Sequence, residues 1–563
     1  MSDQLNRIDG SEEVDGLRIA LAQINTRLGD SRANAARVIE PVERARKEVE
    51  ARLVVFPELT LSGYPPEDLL LRRDFVDACE AELSHIAGQV GDTAVLIGTP
   101  GRGPDGYLQN QAVLIDGGRI VARYAKQALP NYGVFDEKRY FRKGSDTLVA
   151  EIDGVAVGVV ICEDAWRDGP IEATARAGAK VICVLNASPF HRLKTREREA
   201  QIAERVHSSG CAVIYVNLVG GQDELVFDGR SFVSSASGNH MHLPGFAEAI
   251  GWTEVSPAGE ILAHGASHEW QQGEAEIYRA LTTGIADYVR KNGFSGVVLG
   301  LSGGIDSSLV LALAVDALGA DNVLAVRMPS QYTSPMSLED AEIQCEALGV
   351  RCETLSIEPI FDQFKETLSP LFAGLAEDVT EENLQARARG VILMAMSNKF
   401  GRLLLTTGNK SELAVGYATL YGDMAGGFAP IKDVPKTVVY ELARYRNTLG
   451  GTVRPELAAV PERVITREPS AELRADQLDS DSLPAYEDLD RIIEAFVEDD
   501  CSIEEIVAMG LDEAVVRRVV GMILVNEYKR RQAPPGVRIS RRAFGRDRRY
   551  PISSGFRPDK AGS

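Results

Sequence analysis

Cysteine, histidine and tryptophan are scarce in this sequence, with 7, 7 and 3 copies among 563 residues, and each scarcity excludes something. Seven cysteines, an odd number scattered without a C-x-x-C pair, do not make a disulfide framework; they suit a reducing compartment, and a cytoplasmic protein is expected. His191 has no second histidine at ligand spacing, so neither a histidine base nor a histidine-held metal is predicted. No apolar run approaches the ~20 residues that span a bilayer. Met1 to Gly16 is polar and acidic, without the basic start and apolar core of a secretion signal. Positive charge is short too: a formal net charge of -21 argues against general affinity for nucleic acid or for an anionic membrane. The shortage is uneven. From Lys529 onward 11 Lys or Arg face only Asp547 and Asp559, a local +9 that leaves -30 on residues 1 to 528. No internal repeat or low-complexity block is evident.

What is present has the composition of a soluble globular protein, 44% apolar and 25% charged, in a chain long enough for two or three domains. In the first half, short apolar strands alternate with helical stretches: Leu17 to Gln23, Leu53 to Phe56, Ala94 to Gly98, Val155 to Cys162, Val181 to Leu185 and Ala212 to Asn217. Rich in Val and Ile, they read as strands buried on both faces, so a layered α/β architecture is expected. Between about Gly251 and Gln272 the pattern thins into Gly, Pro, Ser and His, which reads as a linker. It would join a domain over residues 17–250 to another over 273–540, with tails at 1–16 and 541–563. A helix is predicted from Glu274, with Ile277, Leu281, Ile285 and Tyr288 along one side and Gly293 ending it. Strands before Gly300, at Val323 to Arg327 and at Leu403 to Thr407 then suit a doubly wound parallel sheet.

The most informative stretch is Ser302-Gly303-Gly304-Ile305-Asp306-Ser307-Ser308, between the apolar runs Val297 to Leu299 and Leu309 to Leu313. A strand that breaks into a glycine and hydroxyl turn and then opens a helix aims several backbone N–H groups at one spot where an anion can sit. The Walker pattern G-x-x-x-x-G-K-[ST] is absent, so lysine-assisted attack at a γ-phosphate is not indicated. Taken alone, the turn also reads as a serine-capped helix start. The string resembles the pyrophosphate loop of ATP pyrophosphatases, which transfer AMP to a substrate and release pyrophosphate. That likeness implies that Gly300, Leu301, Ser302, Gly303, Gly304, Ile305, Asp306, Ser307 and Ser308 hold ATP, the hydroxyls gripping the departing pyrophosphate and Asp306 helping to hold Mg²⁺.

Three residues of the first half stand where strands end: Glu58, Lys126 and Cys162. Side chains just past the carboxyl ends of strands can converge on one site, and a carboxylate, an ammonium and a thiol suffice for amide hydrolysis. Glu58 would take the thiol proton, Cys162 would attack the amide carbon, and Lys126 would stabilise the oxyanion and favour the thiolate. Cys162 alone reads equally as a small buried apolar residue, and Glu58 or Lys126 alone as a surface charge. Together with their flanks, Phe-Pro-Glu58-Leu, Tyr-Ala-Lys126 and Ile-Cys162-Glu163-Asp164, they resemble the nitrilase superfamily from Leu17 to about Ile250. That resemblance implies an α-β-β-α sandwich. Gly63 to Asp68 and Pro130 to Asp136 look like the glutaminase branch attached to NAD synthetases, which implies that Tyr132, Ser188 and Lys194 hold glutamine. Ser188 on its own is also plain turn chemistry, and Lys194 lies in a charged run that would suit a solvated helix face.

Past Leu403-Leu404-Leu405, the phrase Thr406 to Tyr417 puts polar groups at another strand end, facing the same crevice as the phosphate loop. With Tyr421 to Met424 and Ala429 to Asp433 it resembles the ammonia-transferring domain of NAD synthetases. The likeness implies that Thr407 contacts ATP, that Asn383, Glu412 and Lys529 contact deamido-NAD, and that Glu412 shares Mg²⁺ with Asp306. Otherwise Asn383 would read as helix N-terminal chemistry and Glu412 as a solvated charge. The basic tail would give an acidic protein a positive surface for gathering polyanions, or would be a solvated end. Pro469 to Leu483, with Glu472, Asp476, Asp479 and Asp481, reads as a lid beside the pocket or as an ordinary surface loop.

Both halves together, Leu17 to about Pro551, resemble glutamine-dependent NAD⁺ synthetases. That family likeness implies a homo-oligomeric enzyme taking glutamine, ATP and deamido-NAD, with Mg²⁺, and an internal passage for ammonia. The alternatives are another glutamine amidotransferase with the same phosphate loop, acting on XMP or aspartate, and a non-catalytic nucleotide sensor.

Overall fold

The computed structural model describes residues 16–475 and 477–556. Its first half is a sandwich of two sheets. One sheet takes β1 (Leu17–Gln23), β2 (Leu53–Val55), β3 (Ala94–Arg102), β4 (Leu108–Asp116) and β5 (Arg119–Ala125). The other takes β6 (Leu148–Ile152), β7 (Val155–Ile161), β8 (Val181–Asn186) and β9 (Ala212–Asn217). A hairpin, β10 (Val219–Gln222) and β11 (Leu225–Asp228), stands apart. The chain then adds β12 (Phe232–Ser235) and β13 (Gly238–His242) to the second sheet and β14 (Ala249–Val255) and β15 (Ile261–His264) to the first. The strand orders are β15-β14-β1-β2-β3-β4-β5 and β13-β12-β9-β8-β7-β6.

Alternation along β1 explains the layers. Leu17, Ile19 and Leu21 join the core between the sheets, while Ala20 and Ala22 join a second core under the helices α1 (Ser31–Val49) and α2 (Arg73–Gln89). Helices α3 (Pro170–Arg176) and α4 (Lys194–Ser209) cover the second sheet. This is the expected α-β-β-α sandwich.

The stretch expected as a linker is a correction. Residues 249–255 pair with β1 along its whole length and 261–264 pair with β14, so 251–255 and 261–264 of the expected linker are sheet. Alternating burial of Gly251, Thr253 and Val255 on a two-sided strand looks thin in apolar residues, which is why its pattern misled.

The second half begins with α5 (Glu274–Lys291) and continues through β16 (Val297–Gly300), α6 (Ile305–Leu318), β17 (Val323–Arg327), α7 (Pro335–Leu348) and β18 (Arg351–Thr354). Next come α8 (Glu358–Leu368), α9 (Val379–Phe400), β19 (Leu403–Leu405), α10 (Lys410–Val415) and α11 (Lys436–Thr448). All strands are parallel, in the order β18-β17-β16-β19. Connections from β16 run outward one way to β17 and β18 and the other way to β19, so the crevice between the ends of β16 and β19 is the switch point of the sheet, where such folds bind ligands. Helices over residues 486–525 form a further cluster around Leu489, Phe496, Val519 and Ile523.

The halves are docked. Lys291 donates to Asn25 Oδ1 (2.8 Å), the Thr26 carbonyl (2.9 Å) and the Gly221 carbonyl (2.8 Å), and Asn25 donates to Asp287 (2.7 Å). The basic end of the chain is the second correction. Residues 533–549 run back across the junction: the Arg538 N–H reaches the Glu224 carbonyl (2.9 Å), the Arg192 N–H reaches the Ile539 carbonyl (2.9 Å), and the Ile539 and Ser540 N–H groups meet Asp433 (2.8 and 2.7 Å). Arg541 and Arg546 pair across the junction with Glu197 and Glu67, and Arg548 pairs with Glu527 within the second half, so each of these charges has a carboxylate partner. Residues 557–563 of the expected tail, and 1–15 of the other, lie outside the described residues.

Candidate active sites

Glu58, Lys126 and Cys162 come together, from opposite sheets. Glu58 follows β2 and Lys126 follows β5 in the first sheet; Cys162 follows β7 in the second. The Lys126 ammonium donates to Glu58 Oε1 (2.6 Å) and to Glu137 Oε1 (2.8 Å). Glu58 also accepts from Asn110 Nδ2 (2.7 Å) and from the Ala187 N–H (3.1 Å), so its carboxylate is held from three sides. Gly98 makes room for this turn, since a Cβ there would collide with the backbone of Pro57 to Leu59. Cys162 sits at φ +42, a left-handed bend rare for a side chain of this kind, and opens a 3₁₀ turn.

Asp164 locks that turn. Its carboxylate accepts from the Ile161 N–H (3.0 Å) and Tyr124 hydroxyl (2.8 Å) on one oxygen and from the Gln127 and Ala128 N–H groups (3.0 and 2.7 Å) on the other. It thereby ties the thiol-bearing turn to the strand end that carries Lys126. Burial pushes the Cys162 thiol well above its ordinary pKa and Glu58 adds to this, outweighing Lys126, so the resting group is the thiol and not the thiolate expected from Lys126 alone. Burial opposes the Lys126 charge, yet Glu137 and Glu58 hold its pKa well above the ordinary value. Glu137 is pushed up to about 7 by burial, against the pull of Lys126. A neutral thiol beside a carboxylate and a cation is an arrangement chemically able to serve as a nucleophile with a base and an oxyanion partner at hand.

Glu137 and Asp164 went unmarked in the sequence. Asp164 lay inside a quoted phrase and Glu137 one residue past another; unbroken continuation of those phrases was the available signal. Of the expected glutamine-binding residues, Tyr132 is half exposed and donates to Glu163 (2.8 Å), next to the thiol. Lys194, at the start of α4, stands 3.8 Å over the Trp166 ring and bonds Glu197 (3.3 Å). Ser188, two residues past β8, is buried, and its Oγ accepts from Arg198 (3.1 Å).

The second site is a cavity of about 300 Å³ at the switch point of the parallel sheet. Gly300, Leu301, Ser302, Gly304, Ile305, Asp306, Ser307, Thr407 and Glu412 line it. Gly303 and Ser308 lie behind them: the Gly303 carbonyl accepts from Arg467 (3.0 Å), and Ser308 is buried. Gly303 holds φ +79 where a Cβ would strike the Ser337 carbonyl, so the turn needs glycine for space and for conformation.

Asp306 and Glu412 converge on one cation. Lys436, from the start of α11, donates to Asp306 (2.5 Å) and Glu412 (3.3 Å), and Asn409 donates to Asp306 (2.8 Å). Burial and Asp306 push Glu412 up to about 8. Two carboxylates aimed at one cationic atom are the hard oxygen ligands that Mg²⁺ takes when phosphates supply the rest. Among the described residues no group of three or more His, Cys, Asp or Glu could hold a metal by itself. Lys436, Arg389 and Arg467 are the cationic lining residues that sequence reasoning missed; Lys436 follows the phrase ending in Asp433 by three positions, and burial lowers Arg389 to about 10.

Asn383 and Lys529 do not line the cavity. Asn383 accepts from Thr419 (2.7 Å), and Lys529 donates to the Gly416 and Ala418 carbonyls (2.7 and 2.9 Å), so they grip the loop after α10 from two sides. The acidic loop does border the cavity through Pro469 to Leu473 and Asp479, with Glu472 accepting from the Ser334 N–H (3.2 Å) and Ser337 hydroxyl (2.6 Å). Asp476 of that expectation lies outside the described residues.

Two family models match the chain, "Carbon-nitrogen hydrolase" over residues 18–259 and "NAD synthase" over 277–533. A glutamine-dependent NAD(+) synthetase of Xylella fastidiosa is 50% identical over 96% of this chain and 99% of its own length. The chain belongs to the glutamine-dependent NAD(+) synthetases. The family member of Thermotoga maritima is 45% identical over 96% of this chain. The family's structure from Acinetobacter baumannii, in complex with adenosine diphosphate, is 44% identical with a TM-score of 0.77, covering 96% of this chain and 99% of that one. A family structure from Cytophaga hutchinsonii, 23% identical with a TM-score of 0.81 and covering 96% of this chain and 98% of that one, has the same fold. As its family is, the chain is an enzyme, a carbon–nitrogen ligase that uses ATP and takes its nitrogen from glutamine. Among the described residues no helix is long and apolar enough to cross a membrane.

Proposed function

We propose that this chain converts deamido-NAD⁺, ATP and glutamine into NAD⁺, AMP, pyrophosphate and glutamate, with hydrolysis and amidation divided between its two sites. The observation that carries the reading is the pairing, in one docked chain, of a buried thiol centre with a phosphate loop whose Asp306 faces Glu412. At the first site Tyr132, Ser188 and Lys194 hold glutamine. Glu58 takes the Cys162 proton as the sulfur attacks the amide carbon, and Lys126 stabilises the oxyanion. The proton returns to the departing nitrogen, ammonia leaves, and water cleaves the thioester to glutamate.

At the second site the phosphate loop and Thr407 hold ATP. Asn383, Glu412 and Lys529 serve deamido-NAD⁺, Asn383 and Lys529 by shaping the loop after α10. The nicotinate carboxylate attacks the α-phosphorus and pyrophosphate leaves; ammonia then displaces AMP from the mixed anhydride. Asp306 and Glu412 would hold Mg²⁺, which supplies charge neutralisation to the phosphates. Lys436, bonded to both carboxylates, brings a second positive charge to the departing pyrophosphate. Activation is needed because a carboxylate is a poor electrophile. Free ammonia is mostly protonated near neutral pH, so passage across the junction preserves the nucleophile.

Supporting homo-oligomerisation, Ile360, Phe364, Leu371, Leu375 and Val391 expose apolar side chains on and between α8 and α9, and light scattering at several times the chain mass tests it. The seven free cysteines suit the cytoplasm. The deciding assay offers deamido-NAD⁺, XMP and aspartate in turn with ATP and glutamine. NAD⁺ from the first alone is expected; GMP or asparagine, or no pyrophosphate with any acceptor, overturns the reading.

A further inference from the structure

A buried chain of polar contacts runs from the first site into the second domain. Arg198, on α4, donates through Nε to Ser188 Oγ (3.1 Å) and through a terminal nitrogen to the Ser188 and Pro189 carbonyls (2.7 and 3.2 Å). Its other terminal nitrogen meets Asp228 (2.6 Å) at the end of β11. Arg230, two residues on, stands 3.9 Å from the second oxygen of Asp228 and donates to Thr195 (2.6 Å) and to Glu276 (2.5 Å). Glu276 is the one member from the second domain, in the first turn of α5, which packs along α6, the helix that opens from the phosphate loop. Two arginines and two carboxylates make the group neutral, and all four are at most 7% exposed.

We infer that Glu276 is a positioning residue for glutamine use: by occupying Arg230, it leaves Asp228 to Arg198 and so keeps Ser188 in place. The inference rests on reading Ser188 as part of the glutamine subsite. Its physical basis is competition. A buried guanidinium stripped of its carboxylate costs several kcal/mol unless it finds another, and the nearest remaining carboxylate for Arg230 is Asp228. If Asp228 turns to Arg230, Arg198 loses its ion pair with Asp228 and the serine loses the group that fixes both its hydroxyl and its carbonyl. The second domain therefore completes the first site without touching substrate there. Docking of α5 becomes a condition for tight glutamine binding.

The test uses the full chain with Glu276→Gln, Glu276→Asp, the double variant Arg230→Gln with Glu276→Gln, and Ser188→Ala. Glutamine KM, glutamine-driven NAD⁺ formation and ammonium-driven NAD⁺ formation are measured for each. Glu276→Gln is expected to raise the glutamine KM about tenfold, the scale of one hydrogen bond to a charged group, with ammonium-driven synthesis within twofold of the parent. Glu276→Asp, and the double variant that restores neutrality, are expected to recover most of that KM. A general loosening of the fold would lower both nitrogen routes together and would not be mended by a second deletion. The inference is overturned if Glu276→Gln leaves the glutamine KM within twofold, if both routes fall equally, or if the double variant is no better than the single. Should Glu276→Gln give no soluble protein, the double variant decides alone: a glutamine KM within threefold of the parent supports the inference, and a larger rise overturns it. An unchanged KM in Ser188→Ala sinks the subsite reading itself, whereas a rise there with none in Glu276→Gln sinks only the role given to Glu276.

Discussion

At the scale of the residue, the two sites differ in what a single substitution removes. Cys162→Ala deletes the sulfur beside Glu58 and Lys126 but leaves Asp306, Glu412 and Lys436 untouched on the other side of the junction. Glutamine-driven NAD⁺ formation should fall by at least about 10³-fold, the order lost when a covalent nucleophile is removed, while ammonium-driven synthesis persists; equal loss of both would refute the division of labour. His191 gives a pH prediction. Burial, with Arg538 nearby, lowers its pKa from 6.5 to about 4. Between pH 6.5 and 4 the unfolded chain therefore binds the proton that the folded chain refuses, so stability is lost as pH falls through this window. Chemical-denaturant midpoints from pH 7 to 4.5 should drop less steeply in His191→Asn than in the parent, and parallel curves would remove His191 from the account.

At the scale of the element, the phosphate loop shows how much a turn can demand of one position. Gly303 needs a left-handed φ that costs about 1–2 kcal/mol for a residue with a Cβ, and the added carbon would also strike the Ser337 carbonyl at the start of α7. Gly303→Ala should lower NAD⁺ formation with either nitrogen source by at least about tenfold and leave glutamine hydrolysis standing, measured as glutamate release; intact synthesis would show that the loop tolerates the shift. The same scale shows what pattern reading reaches. Val297 to Gly300, with glycine and hydroxyl residues after it, was legible as strand and cradle because its signal is local. The partnership of Asp306 with Lys436 was not, because 130 positions separate them and only the sheet's switch point brings their elements together.

At the scale of the whole molecule, the junction brings together distant parts of the chain: β10 and β11, helix α5 and the returning segment 533–549, with Asn25 and Thr26 after β1 and Arg230 after β11. Between Val134, Leu225, Asp433, Arg538 and Phe544 it encloses a void of about 10 Å³, and the proposed division of labour calls for ammonia to cross this junction. With amide-labelled glutamine and excess unlabelled ammonium, product NAD⁺ should keep most of the label. Full dilution would exclude protected transfer.

The sequence by itself determined the chemistry available and the local shapes that carry it: a thiol, a carboxylate and a cation at strand ends, a glycine turn before a helix, and the periodicities of sheet and helix. These follow from neighbours a few positions apart. Only the tertiary structure decided that Glu58 and Lys126 face Cys162 across two sheets, that residues 249–255 and 261–264 are strands and not a linker, that residues 533–549 are anchored, and that Glu276 of the second half pairs with Arg230 of the first. Each of those depends on which distant surfaces bury one another, and burial is a property of the packed molecule that no short window of residues contains.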